Sequence, residues 1–213
     1  MTISNGYATL DSLKAVLSIP LTDTVDDVAL ETSIEAASRQ IEAHCGRGRK
    51  FWVDPVAVAR KYFPGSPNEV EVHDISSVTG LIVKIDTGDD GSFASTLTYG
   101  TDFEVHPINA AADSPARPFT KIRILAGSSA IISRVASGRP QVEVTAKYGW
   151  PAIPTAVERA CIFQAKNIFK APDLFYGSFQ LADEGSALRV PSMDPLSRAL
   201  LEEFVRQSGV DDV

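Results

Sequence analysis

Between Thr24 and Cys45 the apolar positions Leu30, Ile34, Ala37, Ile41 and Cys45 recur every three or four residues, the stripe of one amphipathic helix. Glu31, Glu35, Arg39 and Glu42 fall away from it, with Glu35 and Arg39 at the i,i+4 spacing of a surface ion pair. Thr24 with Asp27 resembles a capping box at the start, and Gly46 is placed to close the helix in the left-handed conformation. Small Ala36, Ala37 and Ala43 permit close approach of another helix, within the subunit or across an interface. A shorter helix comes first, capped by Thr9, with Leu10, Leu13 and Leu17 on one face and Pro20 soon after its end.

From about Phe51 to Tyr148 the pattern becomes that of strands. Ala57 to Phe63, Val70 to His73, Val78 to Ile85, Leu97 to Val105, Lys121 to Leu125, Ala130 to Val135 and Gln141 to Tyr148 carry β-branched or aromatic residues, and turn formers separate most of them. The pattern predicts a small antiparallel sheet or barrel. Thr87 to Ser92 reads as a hairpin tip. Its acidic residues invite a calcium loop beginning at Asp86, but Gly88 then takes the third position and Leu97 the twelfth, where a bidentate Glu is needed. Residues 106 to 118 have no period and read as a long loop, either plain surface or a binding arm.

The strand pattern stops at Tyr148-Gly149-Trp150-Pro151-Ala152-Ile153-Pro154, where two prolines and a glycine around a tryptophan demand a fixed corner. Gly149, Trp150, Pro151 and Pro154 are its structural residues, and Trp150 is expected to be packed, fixing the β-rich part against the helices, rather than to contact a ligand. Thr155 and Glu158 read as a capping box. Val157, Cys161, Ala165 and Ile168 then form a stripe that Phe163 and Phe169 widen, so this helix is expected to be the most buried. From Pro172 to Ser192 no regular pattern survives, yet Leu174, Phe175, Tyr176, Phe179, Leu181 and Leu188 are dense for a solvent loop. The segment either folds over its own subunit or is an arm that docks on a neighbour. Asp194 caps a last helix with Pro195 at its first position, an apolar face of Leu196, Ala199, Leu200 and Phe204, and an Arg198–Glu202 pair on the exposed side. Gly209 ends it before an acidic tail. The fold expected is α+β: an α-helical bundle of about four helices, from residues 1–50 and 150–213, with an antiparallel β domain at 51–149 inserted and an extended arm at 172–192.

Composition changes this picture mainly through charge. The 213 residues carry a net charge of −7, which argues against gripping DNA, because that affinity comes from clustered Lys and Arg. The one basic cluster, Arg47, Arg49 and Lys50, follows a helix C-terminus, where cations complement the dipole; the alternative is a polyanion contact. No window approaches a membrane span, and the first residues lack a basic flank and an apolar core, so a cytosolic protein is expected. Cys45 and Cys161 sit in helical patterns as buried thiols rather than a disulfide.

Candidate chemistry is sparse. His44, His73 and His106 are scattered, and neither a paired-cysteine or zinc-helix motif nor a phosphate or dinucleotide fingerprint occurs. Gly127-Ser128-Ser129 and Gly185-Ser186-Ala187 do not complete a nucleophile elbow and read as turns. No catalytic residue, metal ligand or cofactor is therefore expected.

The Tyr7-Ala8-Thr9-Leu10-Asp11 start, the Ile41-Glu42-Ala43-His44-Cys45-Gly46-Arg47 helix end, the strand-rich middle, the Gly-Trp-Pro corner and the Met193-Asp194-Pro195 helix follow one another in an order that resembles the head-tail connector, or adaptor, family of tailed bacteriophages and prophage-derived particles. The strand-rich middle is long for that family. The resemblance implies a structural protein and not an enzyme: a twelve-subunit ring beneath the portal protein that receives a tail-side head-closure or neck component. DNA would pass through without sequence-specific binding, and no membrane would be involved. It implies a place in the virion neck, assembled in the host bacterial cytoplasm, with Leu174, Phe175, Tyr176, Phe179, Leu181, Leu188, Leu200 and Phe204 as interface candidates. Another neck component, such as a head-closure or tail-completion protein, and a small soluble binding module or enzyme remain as alternatives.

Overall fold

A computed structural model describes residues 3–46, 49–132, 138–178 and 193–206, with backbone alone for 172–178. The fold is mixed α+β, with four α-helices and two antiparallel sheets among the described residues. The chain divides into two compact units: Met1–Arg47 with Ile153–Arg206, and Gly48–Ala152 with Gln207–Val213.

In the helical unit, α1 (Leu10–Leu17) begins under Thr9, whose hydroxyl accepts from the Ser12 N–H, and ends at Ser18 in the left-handed region (φ 59°). Leu13 is fully buried, whereas Leu10 and Leu17 are half-covered. The unexpected resident is Lys14, only 2% exposed, whose ammonium donates to the Asp23 carbonyl at 2.7 Å and pairs with the Asp27 carboxylate. A buried ammonium is tolerable only with such partners. Asp27 is the first residue of α2 (Asp27–Cys45), and its engagement with Lys14 explains why the expected Thr24 capping box is not the cap: Asp26 occupies that place without a side-chain bond.

The stripe Leu30, Ile34, Ala37, Ile41 and Cys45 is completely buried. Arg39 pairs with Glu42 and donates to the Asn5 carbonyl, while Glu35 accepts from the Ser4 N–H, so the expected Glu35–Arg39 pair is replaced by bonds to the N-terminal strap. Gly46 has a positive φ of 118° but ψ of 149°, extended rather than left-handed, and the Cys45 carbonyl is taken by the Arg206 N–H. Both cysteines are buried free thiols.

α3 (Thr155–Ser178) starts one residue away from the expected cap, because the Pro154 carbonyl accepts the first helical bond, from the Glu158 N–H. It also continues through Pro172, so 172–178 are helical where irregular chain was expected. Its covered face is Val157, Ala160, Cys161, Gln164 and Ala165; Ile162, Phe163, Ile168 and Phe169 are half-buried, a narrower burial than their apolarity suggests. α2 packs on α3, with Ser38 Oγ 3.5 Å from Cys161 Sγ and Gln164 Nε2 donating to Gln40 Oε1 at 2.6 Å. α4 (Pro195–Leu201) packs on α3 and tightens into a 3₁₀ turn, Glu202–Phe204.

The β unit comprises β1 (Val58–Tyr62), β2 (Glu69–Ile75), β3 (Ile82–Ile85), β4 (Ser95–Leu97), β5 (Phe103–His106), β6 (Phe119–Ile124) and β7 (Val142–Ala146). They form two antiparallel sheets, ordered β1-β7-β3-β4 and β2-β6-β5. Register places Val83 between Val144 and Leu97, and alternate residues of both sheets enter one apolar cluster around Val70, Val72, Phe103, Ile122 and Ile132.

The departures from the sequence reading are local. The expected Leu97–Val105 strand is two strands, because the Asp102 N–H bonds the Thr98 carbonyl and its carboxylate takes the Thr98 N–H, closing a turn at Gly100 (φ 78°). A turn at Gly80 likewise delays β3 to Ile82. Residues 130–132 are not in a strand, and the rest of the run expected there lies outside the described residues. The long loop contains a 3₁₀ turn at Ala110–Ala112, where buried Ala110 accepts from the Arg117 N–H and Arg117 pairs with Asp113.

Replacing Lys14 by Ala leaves the Asp23 carbonyl and Asp27 unanswered. The expected loss is about 3 kcal/mol, at the low end for a buried pair because Asp27 keeps some water. Urea unfolding of Lys14→Ala against wild type measures it, and Lys14→Met with Asp27→Ala should recover part of the loss.

Candidate functional site

The corner is built around Asp74, at 2% exposure the most deeply set acid at the end of β2. Its carboxylate accepts from Arg49 Nε at 2.9 Å and from Trp150 Nε1 at 3.1 Å, while its carbonyl accepts from the Gly149 N–H at 2.7 Å. Trp150 is buried, its ring 5.3 Å from Phe51 and under the Arg49 guanidinium. Gly149 has φ 120°, and a Cβ there would lie 1.9 Å from the Trp52 carbonyl oxygen. Pro151 is exposed and Pro154 is buried. Arg49 and Lys50 are therefore spent on Asp74 and Asp54 rather than on the helix end or a polyanion.

A polar cleft of about 570 Å³ opens in the β unit between β4 and residues 128–131, with Asp86, Asp102 and Gln141 in its lining. Asp86 accepts from the N–H groups of Gly91 (2.7 Å), Gly88 (3.1 Å) and Asp90 (3.4 Å). Burial opposes its charge, but these N–H groups outweigh it and hold the carboxyl below its usual range. Asp102 is lowered by the Thr98 N–H and the Ser128 hydroxyl. Both carboxylates close loops, and Ser128 donates to Asp102 with no histidine beside it. The arrangement organises the hairpin tip and the 98–102 turn; it does not present an activated nucleophile. Among the described residues no cluster of His, Cys, Asp or Glu is placed to hold a metal. Burial pushes the Cys161 thiol up to about 11, against the opposing bond from Ser38.

The sequence-nominated interface residues are divided. Leu174, Phe175 and Tyr176 lie in the last turns of α3, and Phe179, Leu181 and Leu188 fall outside the described residues. Phe204 is buried and Leu200 half-buried. α4 turns differently from its sequence pattern. Ser197, Leu201 and Phe204 face inward, while Leu196 and Ala199 are exposed, because the Asp194 carboxylate caps the Ser197 N–H and Ser197 Oγ reaches the Ala160 carbonyl. Gln164 and Asn167 of α3 hold Asp194 in place. Glu202 ends α4 with helical dihedrals (φ −57°, ψ −40°), yet no ion pair joins it to Arg198 among the described residues. A shallow groove of about 490 Å³ results, lined by Ala156, Ala199, Leu200, Glu202 and Glu203. Sequence periodicity missed this face because a serine, not a leucine, anchors it.

No family model matches the chain, and no curated protein matches it. Solved structures do. Over 98% of this chain and 95% of the other, the fold matches a chain described as the neck of an empty GTA particle computed with C6 symmetry, at TM-score 0.51 and 17% identity. The fold is similar to that of a GTA neck chain. A chain of a native GTA particle neck computed with C12 symmetry matches at TM-score 0.49 and 16% identity, and one from the virion of a native gene transfer agent particle at 0.47 and 17%, with the same coverage. At these identities the likeness is one of fold, and the comparison rests on the first.

Two outcomes follow from the geometry. Gly149→Ala should destabilise the protein by at least about 2 kcal/mol, from the forbidden backbone region and the collision with Trp52, read as a lowered urea midpoint. The Asp86 and Asp102 contributions are present above the ordinary carboxyl range, near pH 4, and disappear as pH falls through their lower folded values. Asp86→Asn with Asp102→Asn should therefore flatten the fall of the unfolding midpoint below about pH 4 relative to wild type.

Proposed function

We propose that the chain is a structural subunit of the neck of a phage-like particle: a head-tail connector, or adaptor, whose copies form a ring around the DNA channel between the portal and tail-side components. The observation that carries the reading is the end-to-end likeness of fold to a GTA neck chain, covering both units rather than one. The ordered resemblance of helix ends and corner to the connector family supports it independently. Charge agrees as well. Most of the excess of acidic residues lies in the helical unit, while the stretch from Gly48 to Ala152 is balanced, and acidic surface facing a channel repels phosphate and keeps the duplex mobile. The role is architectural, not enzymatic.

In this reading the β unit is an insert in a helical bundle and faces the tail side or outer rim. The segment 172–192 and α4, with the groove of Ala199 and Leu200, contact the portal or an adjacent subunit. A head-to-tail ring needs two different patches on each copy, and the exposed α4 face supplies one.

Mixing the protein with a portal ring, with and without residues 172–192, tests the assignment. Wild type should co-sediment with the portal and the deletion should lose most of that binding. Wild type that fails to bind the portal would overturn the connector role, and a deletion that assembles and binds unchanged would overturn the place given to 172–192.

A further inference from the structure

The helical unit carries two surfaces of opposite charge that a single copy leaves open. The first is the connection from α1 into α2. Leu21 is 61% exposed, Val25 87% and Val28 59%, so three large apolar side chains meet solvent within a short stretch. Apolar residues scattered singly over a surface need no explanation, whereas a cluster of this kind marks a contact. The surroundings are negative. Asp26 makes no side-chain bond at the start of α2, and Asp23 gives one carboxylate oxygen to the Val25 N–H. The cation of this region, Lys14, is buried against Asp27 and does not offset them.

The second surface is the outer face of α3. Val157, Cys161 and Gln164 turn inward, and the helical repeat sets Lys166 and Lys170 on the opposite side. Ile162, Phe163 and Phe169 lie half-buried beside them. Arg159 is drawn over the Phe163 ring, and among the described residues no carboxylate pairs with Lys166 or Lys170. This face is therefore apolar and positive, in a unit whose excess charge is negative. Since the α1–α2 surface and the lysines are both open to solvent in one copy, they do not meet within it; a second copy can bring one against the other.

We propose that the α1–α2 connection of one copy packs on the outer face of α3 in a second copy. Leu21, Val25 and Val28 lie against Phe163 and Phe169, and Asp23 and Asp26 come beside Lys166 and Lys170. Apolar burial supplies the affinity and charge fixes the pairing, because either surface set against its own counterpart brings like charges together. The contact is thus heterologous, and copies joined by it add head to tail. The proposal rests on the ring reading for its second copy, and it names the two unlike patches through which neighbours in such a ring touch.

Sedimentation velocity of the full chain over a concentration series tests it. Val25→Ser with Val28→Ser should raise the concentration of half-assembly at least about tenfold, and so should Lys166→Glu with Lys170→Glu. Each pair of changes leaves the other surface sound. At a concentration where neither variant assembles alone, a one-to-one mixture should therefore give a dimer and nothing larger; no dimer overturns the proposal. Asp26→Lys should also weaken assembly, and adding Lys166→Glu and Lys170→Glu to it should recover most of that loss; no recovery overturns the charge pairing. If a reversal folds poorly, Val25→Ser alone, at the most exposed apolar side chain, keeps the outcome readable, and unchanged assembly by that variant overturns the proposal. Wild type that assembles while every variant assembles equally well sinks this contact and leaves the ring reading intact, whereas wild type that stays monomeric at every concentration sinks both.

Discussion

The buried carboxylate of Asp74 is the interaction on which the β unit depends. It is bonded by Arg49, in the stretch where the chain enters that unit, and by Trp150, in the stretch where the chain leaves. Its own carbonyl holds Gly149, and the Asp54 N–H bonds the Tyr148 carbonyl nearby. Entry and exit are thus fastened together at the end of β2, in surroundings where an unpaired charge would cost several kcal/mol. A unit closed in this way can fold around its own apolar cluster, and the chain outside it can form helices without supplying any strand. Gly149 is required at that point because the Trp52 carbonyl fills the space a side chain would need.

The helical unit solves the same problem with different chemistry. Lys14 binds α1 to the start of α2, Gln164 spans from Gln40 to Asp194, and Ser197 reaches back to Ala160. Each is a polar bond inside an otherwise apolar packing, and each fixes an orientation that hydrophobic contact alone would leave adjustable. The result at α4 is a helix whose serine faces inward and whose Leu196 faces out.

Much of the secondary structure was legible in the sequence, because it follows from short-range periodicity. The stripe from Leu30 to Cys45 is buried as read, Thr9 and Asp194 cap where they should, and the tip after Asp86 joins β3 to β4. What was not legible depends on partners distant in the chain or on side chains behaving against type. Lys14 looks like a surface residue until Asp23 and Asp27 are beside it. The Thr98–Asp102 turn splits what alternation reads as one strand, since a carboxylate binding its own backbone leaves no mark on hydrophobic period. Pro172 suggests a stop, yet α3 runs on to Ser178. Of the nominated interface, Phe204 went to the core and Leu200 to a groove edge, because Ser197 set the rotation of α4. The corner's residues stood out in the sequence, but their common partner, Asp74, gave no signal there.

Among the described residues the helical unit turns Leu196 and Ala199 of α4 to solvent and carries most of the acidic excess. The central claim is that copies of this chain close into a ring around a channel. Electron microscopy of the purified protein, alone and bound to a portal ring, measures this directly. The account predicts a closed ring with a central opening, with one copy of the chain per portal subunit in the complex. A protein that stays monomeric alone and adds no ring of density to the portal would contradict it.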